Sequence, residues 1–168
     1  MTMEKIVRNF KAALKPTPDI LISCRSKEGQ DNALAVEYAC NCSFDPPMIM
    51  VGIVPSRYSY NIIKETGVFV VNLVPEELRK EFGYLGSHSG RDGDKLTFLG
   101  MKKGEGVKVK APVLLDCPVN IECTVVDSIK TGSHEMFVGK VEYIHAKEEF
   151  ILEDGSVDYA KIKLLKFR

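Results

Sequence analysis

The chain carries no net charge: 23 lysines and arginines stand against 23 aspartates and glutamates in 168 residues. Nucleic-acid affinity rests mainly on an excess of cations, so this balance argues against nucleic acid as a principal partner. No apolar run approaches the ~20 residues that a membrane helix needs. Glu4, Lys5, Arg8 and Lys11 interrupt the apolar positions at the start, so a signal-peptide core is missing as well. The expectation is a cytoplasmic protein with no membrane partner. Five cysteines (Cys24, Cys40, Cys42, Cys117 and Cys123) form an odd set without the spacing of a disulfide framework. They are expected to stay reduced, with Cys123 as a small core residue.

Motifs of several chemistries are missing too. The sole Gly-x-Gly, Gly104-Glu105-Gly106, lacks the third glycine and the following helix of a dinucleotide fingerprint, and no Walker sequence exists. Cys40 and Cys42 sit closer than paired zinc ligands do. His88, His134 and His145 are scattered, so no metal site is expected. No serine occupies a Gly-x-Ser-x-Gly elbow.

What is present is mainly β signal. Residues 19–25, 48–54, 68–73, 119–127, 134–145 and 160–167 read as strands, and residues 32–43 are either extended or helical. Helical spacing marks residues 3–14. Residues 56–66 read as a helix with a hydroxyl N-cap and Gly67 as its stop, and a further helix starts at Pro75. In "VNIECTVVD", Ile121, Cys123 and Val125 alternate with Asn120, Glu122 and Thr124, so one face is buried and the other meets something polar. Strands outnumber helices and the late ones need only short turns. The architecture expected is one domain over residues 1–168: an antiparallel, closed or half-closed β-barrel with peripheral helices.

Two segments suggest binding chemistry. After the strand ending near Pro55 come Ser56, Arg57, Tyr58, Ser59 and Tyr60, at the start of a helix. Free amides, the helix dipole, hydroxyls and a guanidinium make such a turn a good anion site, although a plain N-cap is the simpler reading of it alone. The passage "SHSGRDGDK" adds Ser87, Ser89, Gly90 and Lys95 in one glycine-rich loop. His134 enters a late strand, where its pKa range suits proton handling.

The ordered set "NALA", "SFDPP", "MIMVGI", "RYSYNII", "TGVFVVNL", "SGRDGDK", "AP", "NIEC" and "GSHEMFVGKV" resembles the flavin reductase-like family, nearest its flavoredoxin branch. That resemblance implies an FMN-binding split β-barrel, usually a homodimer. Such a protein passes electrons from NAD(P)H or a protein donor through FMN to flavin, ferric iron or a protein acceptor. It maps cofactor contacts onto Asn32, Ala33, Leu34 and Ala35, onto Ser43, onto Ser56, Arg57, Tyr58, Ser59 and Tyr60, and onto Ser89 and Lys95. The 56–60 turn and Lys95 are expected to take the phosphate, and residues 32–35 with Ser43 the ring or ribityl chain. His134 matches a histidine that many members bring toward the flavin. Many members have Ser-Trp where this chain has Glu37-Tyr38, which alters the pocket wall. Two alternatives stay open: a non-enzymatic FMN electron carrier, and a split barrel for another phosphorylated ligand.

Overall fold

The computed structural model describes residues 12–165. The helix expected over residues 3–14 lies outside them except for its last three residues, which form no regular element. In chain order the elements are β1 (Ile20–Arg25), β2 (Asp31–Val36), β3 (Ala39–Ser43), β4 (Met48–Ile53), α1 (Tyr58–Thr66) and β5 (Val68–Leu73). They continue with α2 (Arg79–Ser87), α3 (Lys95–Phe98), β6 (Lys103–Glu105), β7 (Pro112–Leu114), β8 (Val119–Lys130) and β9 (Glu135–Ala146). No helix of the described residues is long and apolar enough to cross a membrane.

Seven strands form one antiparallel sheet in the order β2-β1-β5-β8-β9-β4-β3, and β6 pairs with β7 separately. The two edge strands, β2 and β3, are joined by Glu37 and Tyr38 alone. At about 3.8 Å per residue this link cannot reach across a flat sheet. The sheet therefore curls until its edges meet, and Gly52 N donates to Tyr38 O at 2.7 Å to fasten the seam. The outcome is the expected antiparallel half-barrel.

Alternation along the strands builds two cores. Ile20, Ile22 and Cys24 of β1 point into the barrel with Phe69, Val71 and Phe137, and Ile62 and Ile63 of α1 plug the open end. Leu21 points the other way, against Phe82 and Leu85 of α2, Leu96 of α3 and Leu114. Each such side chain contributes roughly 1.5–3 kcal/mol by leaving water. Gly67 ends α1 in the left-handed region, at φ 69°, with its N–H donating to Ile63 O.

One open alternative is resolved and two expectations change. Residues 32–43 are extended and split into two strands at Glu37-Tyr38. Helix α1 starts at Tyr58 with Arg57, which has no short acceptor side chain, as N-cap and so has no side-chain cap; Ser59 already lies inside the helix and accepts from Asn32. Of the strand expected over residues 160–167, the last two residues lie outside the described ones; residues 160–165 are not a strand, for Tyr159–Lys161 form a 3-10 turn and among them only Leu164 makes a bridge, to Pro75. Ile162 and Leu165 are both buried there, and their spacing of three does not suit one face of a strand.

The polar face of β8 meets protein rather than water. Asn120 Nδ2 donates to Asn72 Oδ1 (2.8 Å) and Leu114 O (2.9 Å). Buried Glu122 accepts from the amides of Val107 (2.9 Å), Lys108 (2.7 Å) and Val109 (2.9 Å), and His145 Nε2 lies against the same carboxylate. Burial raises the pKa of Glu122, but the three amides and His145 together outweigh it and leave it below the ordinary carboxylate value. Stability from a depressed carboxylate is present above its unfolded pKa and disappears as pH falls through the folded one. Glu122→Gln places an amide N–H against backbone N–H groups. Urea denaturation should show it less stable at neutral pH by about 1–3 kcal/mol. The gap to wild type should close toward acid pH; a gap independent of pH would mean that the carboxylate charge is not what holds the 106–109 loop.

Candidate functional site

The start of α1 and the 87–95 loop meet over β2. Ser59 is buried and accepts from Asn32 Nδ2 at 2.7 Å, docking the first turn of α1 onto β2. Tyr58 donates its hydroxyl to Gln30 Oε1 (2.8 Å), and its ring lies so close to Gly90 that a Cβ there would collide with it. That contact explains a glycine at position 90. Arg91 Nη1 then donates to Ser56 O (3.0 Å), tying the loop to the turn before α1.

Lys95 is only 5% exposed. Asp94 caps α3 through Thr97 N, which sets Lys95 as the first helical residue and turns its side chain inward. Its ammonium donates to Leu85 O (3.0 Å) and His88 O (2.9 Å), carbonyls left open at the end of α2. An ammonium has three N–H donors, so one remains without an acceptor among the described residues. Burial pulls its pKa down to about 8, with Cys24 opposing it and the charge of Arg57 adding a smaller downward push.

These groups enclose a polar compartment of about 140 Å³ whose walls include Asn32, Ser56, Arg57, Ser59, Ser89 and Lys95. A wider cleft of about 390 Å³ adjoins it, sharing Leu34, Ala35, Arg57 and Gly86, and continues to Tyr38, Gly52, Phe82 and His134. His134 stands with its ring centroid 4.7 Å from that of Tyr38, and its Nδ1 is 2.7 Å from Ser133 Oγ. The main-chain oxygen of His134 accepts from Thr131 N (2.9 Å) and Oγ1 (2.8 Å), fixing the turn that delivers it. Two guanidiniums, an ammonium with a spare donor and several hydroxyls suit a phosphate monoester. The adjoining cleft, with aliphatic and aromatic walls, suits a planar ring attached to it. Among the described residues, no group of three or more His, Cys, Asp or Glu side chains could hold a metal ion.

Of the residues singled out in the sequence, Asn32, Leu34, Ala35, Ser56, Arg57, Tyr58, Ser59, Ser89 and Lys95 line the polar compartment, and His134 lines the cleft. Three lie elsewhere. Ala33 is fully buried in the outer core, since it alternates with Asn32 and Leu34. Ser43 ends β3 and borders neither space. Tyr60 donates its hydroxyl to the Glu135 carboxylate and packs on Phe137, because the helical turn carries it to the side of α1 facing β9. Gly90 of the same loop lines the compartment as well, and Arg91, His88 and the α2 residues Phe82 and Gly86 complete the walls without having been named individually as contacts. Arg91 was readable as the basic residue in a glycine loop; α2 gave no local signal.

Comparison with known proteins agrees with this fold. Residues 13–161 match the family described as the flavin reductase like domain. The flavoredoxin of Methanosarcina acetivorans superposes with a TM-score of 0.89 at 30% identity, over 98% of this chain and 87% of that one. The flavoredoxin of Desulfovibrio vulgaris (Miyazaki F) gives 0.87 at 27% identity, over 94% and 85%. An uncharacterized protein of Archaeoglobus fulgidus is 35% identical over 127 residues, 76% of this chain and 71% of its own.

The depressed pKa of Lys95 sets a pH dependence. Lys95 is charged below about 8 and neutral above it. Isothermal titration with inorganic phosphate should show affinity falling by up to about tenfold per pH unit above that value, until the pKa of the complex is reached. Lys95→Gln should bind more weakly and lose that slope. An unchanged slope in the variant would place the titrating group elsewhere.

Proposed function

This chain belongs to the flavin reductase-like family, and on that premise we propose that it is an FMN-dependent oxidoreductase of the flavoredoxin kind. It takes electrons from NAD(P)H or a protein donor and passes them through bound FMN to flavin, ferric iron or a protein acceptor. The observation that carries this reading is Arg57, which borders both the polar compartment and the wider cleft and so marks where an anion joins a planar group. When bound, FMN supplies the hydride and electron chemistry, and the protein supplies binding, orientation and electrostatics.

Each residue then has a definable task. Ser56, Arg57, Ser59, Ser89 and Lys95 bind the phosphate, with Arg91 at the rim. Leu34 and Ala35 offer the edge of β2 to the ring system, and Gly86 lets α2 approach without filling the cleft; a Cβ there would sit 3.1 Å from the Ala35 Cβ. His134 lines the side from which a donor arrives and is the group placed to orient it or to move a proton; Ser133 and Tyr38 hold its ring. The homodimer implied by the family resemblance is part of this proposal.

Purified protein mixed with FMN and desalted should keep the oxidised-flavin absorbance. Arg57→Ala and Lys95→Ala should each weaken FMN by about ten- to a hundredfold, the range for losing one charge-assisted contact. Retention unchanged in both variants would overturn the phosphate assignment. In stopped flow, NADH or NADPH should bleach the bound flavin, and His134→Ala should slow that step by about a hundredfold with FMN affinity kept. Bleaching by neither nucleotide would favour an electron carrier served by a protein donor.

A further inference from the structure

The outer face of the β3–β4 hairpin collects sulfur. Ile49, Val51 and Ile53 of β4 point into the barrel core, so strand alternation turns Met48, Met50 and Gly52 outward. Cys40 pairs directly with Met50, and directly opposed residues share a face of the sheet. The register slips between Asn41 and Ser43, which leaves Cys42 as the extra residue of a bulge beside Met48. Both thiols are free and exposed, and both methionines are half-buried. After the desolvation of its own position, the charge of Cys40 is the next cause raising the Cys42 thiol pKa, which places the two sulfurs near one another.

Free cysteine is among the residue types most often buried, so two exposed thiols on one short strand are not explained by packing. Zinc does not suit them. Their spacing is tighter than zinc pairs use, and among the described residues no third His, Cys, Asp or Glu joins them. Thioethers ligate soft ions instead, and thiolate together with thioether is the ligand set that selects Cu(I). Lys140 of β9 pairs with Met48, and its ammonium opposes a divalent ion twice as strongly as a monovalent one. Ligand softness and local charge thus favour the same kind of ion.

We infer that this hairpin holds a soft monovalent cation of the Cu(I) kind, ligated by the Cys40 and Cys42 thiolates and the Met50 thioether, with Met48 beside them. Binding releases the two thiol protons, and the charge of the ion offsets the repulsion between the thiolates. The site adjoins the cleft. Gly52, two residues beyond Met50 on the same face, lines that cleft, and the Met136 sulfur lies against Gly52. None of the four hairpin residues borders the cleft or the polar compartment, so the inference stands apart from the flavin reading.

The test is competition for Cu(I) between the purified, reduced protein and bicinchoninate under nitrogen, followed by the colour of the Cu(I)–chelator complex. Wild type should withdraw one equivalent of Cu(I) from the chelator. Cys40→Ser and Cys42→Ser should each weaken that binding by at least about a hundredfold, since even the loss of a group that only supports a ligand costs about ten- to a hundredfold. Met50→Leu, which keeps the side-chain volume, should weaken it by about tenfold. Far-UV circular dichroism matching wild type reports an intact fold in each variant without reference to either ligand. Wild type that leaves all the Cu(I) with the chelator would overturn the inference, as would serine variants that compete as well as wild type. So would Met50→Leu binding indistinguishable from wild type, or Zn(II) displacing Cu(I) at equal concentration.

Discussion

Two residues, Glu37 and Tyr38, connect strands that stand at opposite edges of a seven-stranded sheet. The chain is too short there for anything but edge-to-edge contact, so the sheet must roll up, and most of the site follows from that. Rolling brings β2 beside β4, places α1 over the open end of the barrel and puts the two cores on opposite faces of β1. It also brings Leu34 and Ala35 of β2 into one cleft with Gly52 of β4 and His134 at the entry to β9. Residues about a hundred positions apart in sequence thus share one cleft without any long connecting loop.

Lys95 is the electrostatic counterpart of that seam. Burying an ammonium is unfavourable unless its donors are satisfied, and the open carbonyls at the end of α2 satisfy two of them. The same contacts fix the angle between α2 and α3, and with it the loop carrying Ser89, Gly90 and Arg91. The remaining donor sits in a compartment that already holds Arg57 and Arg91. Three cations facing one small space are mutually unfavourable while it contains only water, and an anion there relieves the repulsion. The arrangement trades some stability for affinity.

The residues that could be read from the sequence were those whose chemistry is local. Arg57 and Lys95 stand among serines and glycines beside apolar elements, and that pattern is visible without a fold. The strands at 20–25, 48–53 and 68–73 and the Gly67 stop were likewise carried by composition and turn residues. What escaped depended on direction or distance. Tyr60 lies three residues from Arg57, yet the helical turn aims it at Glu135 rather than into the compartment. Ala33 sits among three pocket residues, yet strand alternation buries it. Asn120 and Glu122 read as a polar face, but only the fold shows that residues 107–109 and Asn72 cover it. Helix α2 supplies Phe82 and Gly86 to the cleft and leads into His88, which lines the polar compartment, and nothing in "RKEFGYLGS" marks it as part of a binding site.

The central claim is that the compartment under Arg57 and Lys95 is a phosphate seat and the main anchor for a flavin lying in the adjoining cleft. Comparing the equilibrium affinities of FMN and riboflavin for the wild-type protein tests it most directly, since the two ligands differ by the phosphate alone. With several charge-assisted hydrogen bonds at stake, FMN should bind at least about a hundredfold more tightly. Equal affinities would contradict the account, for they would mean that the flavin is held by its ring and that the cationic compartment serves something else.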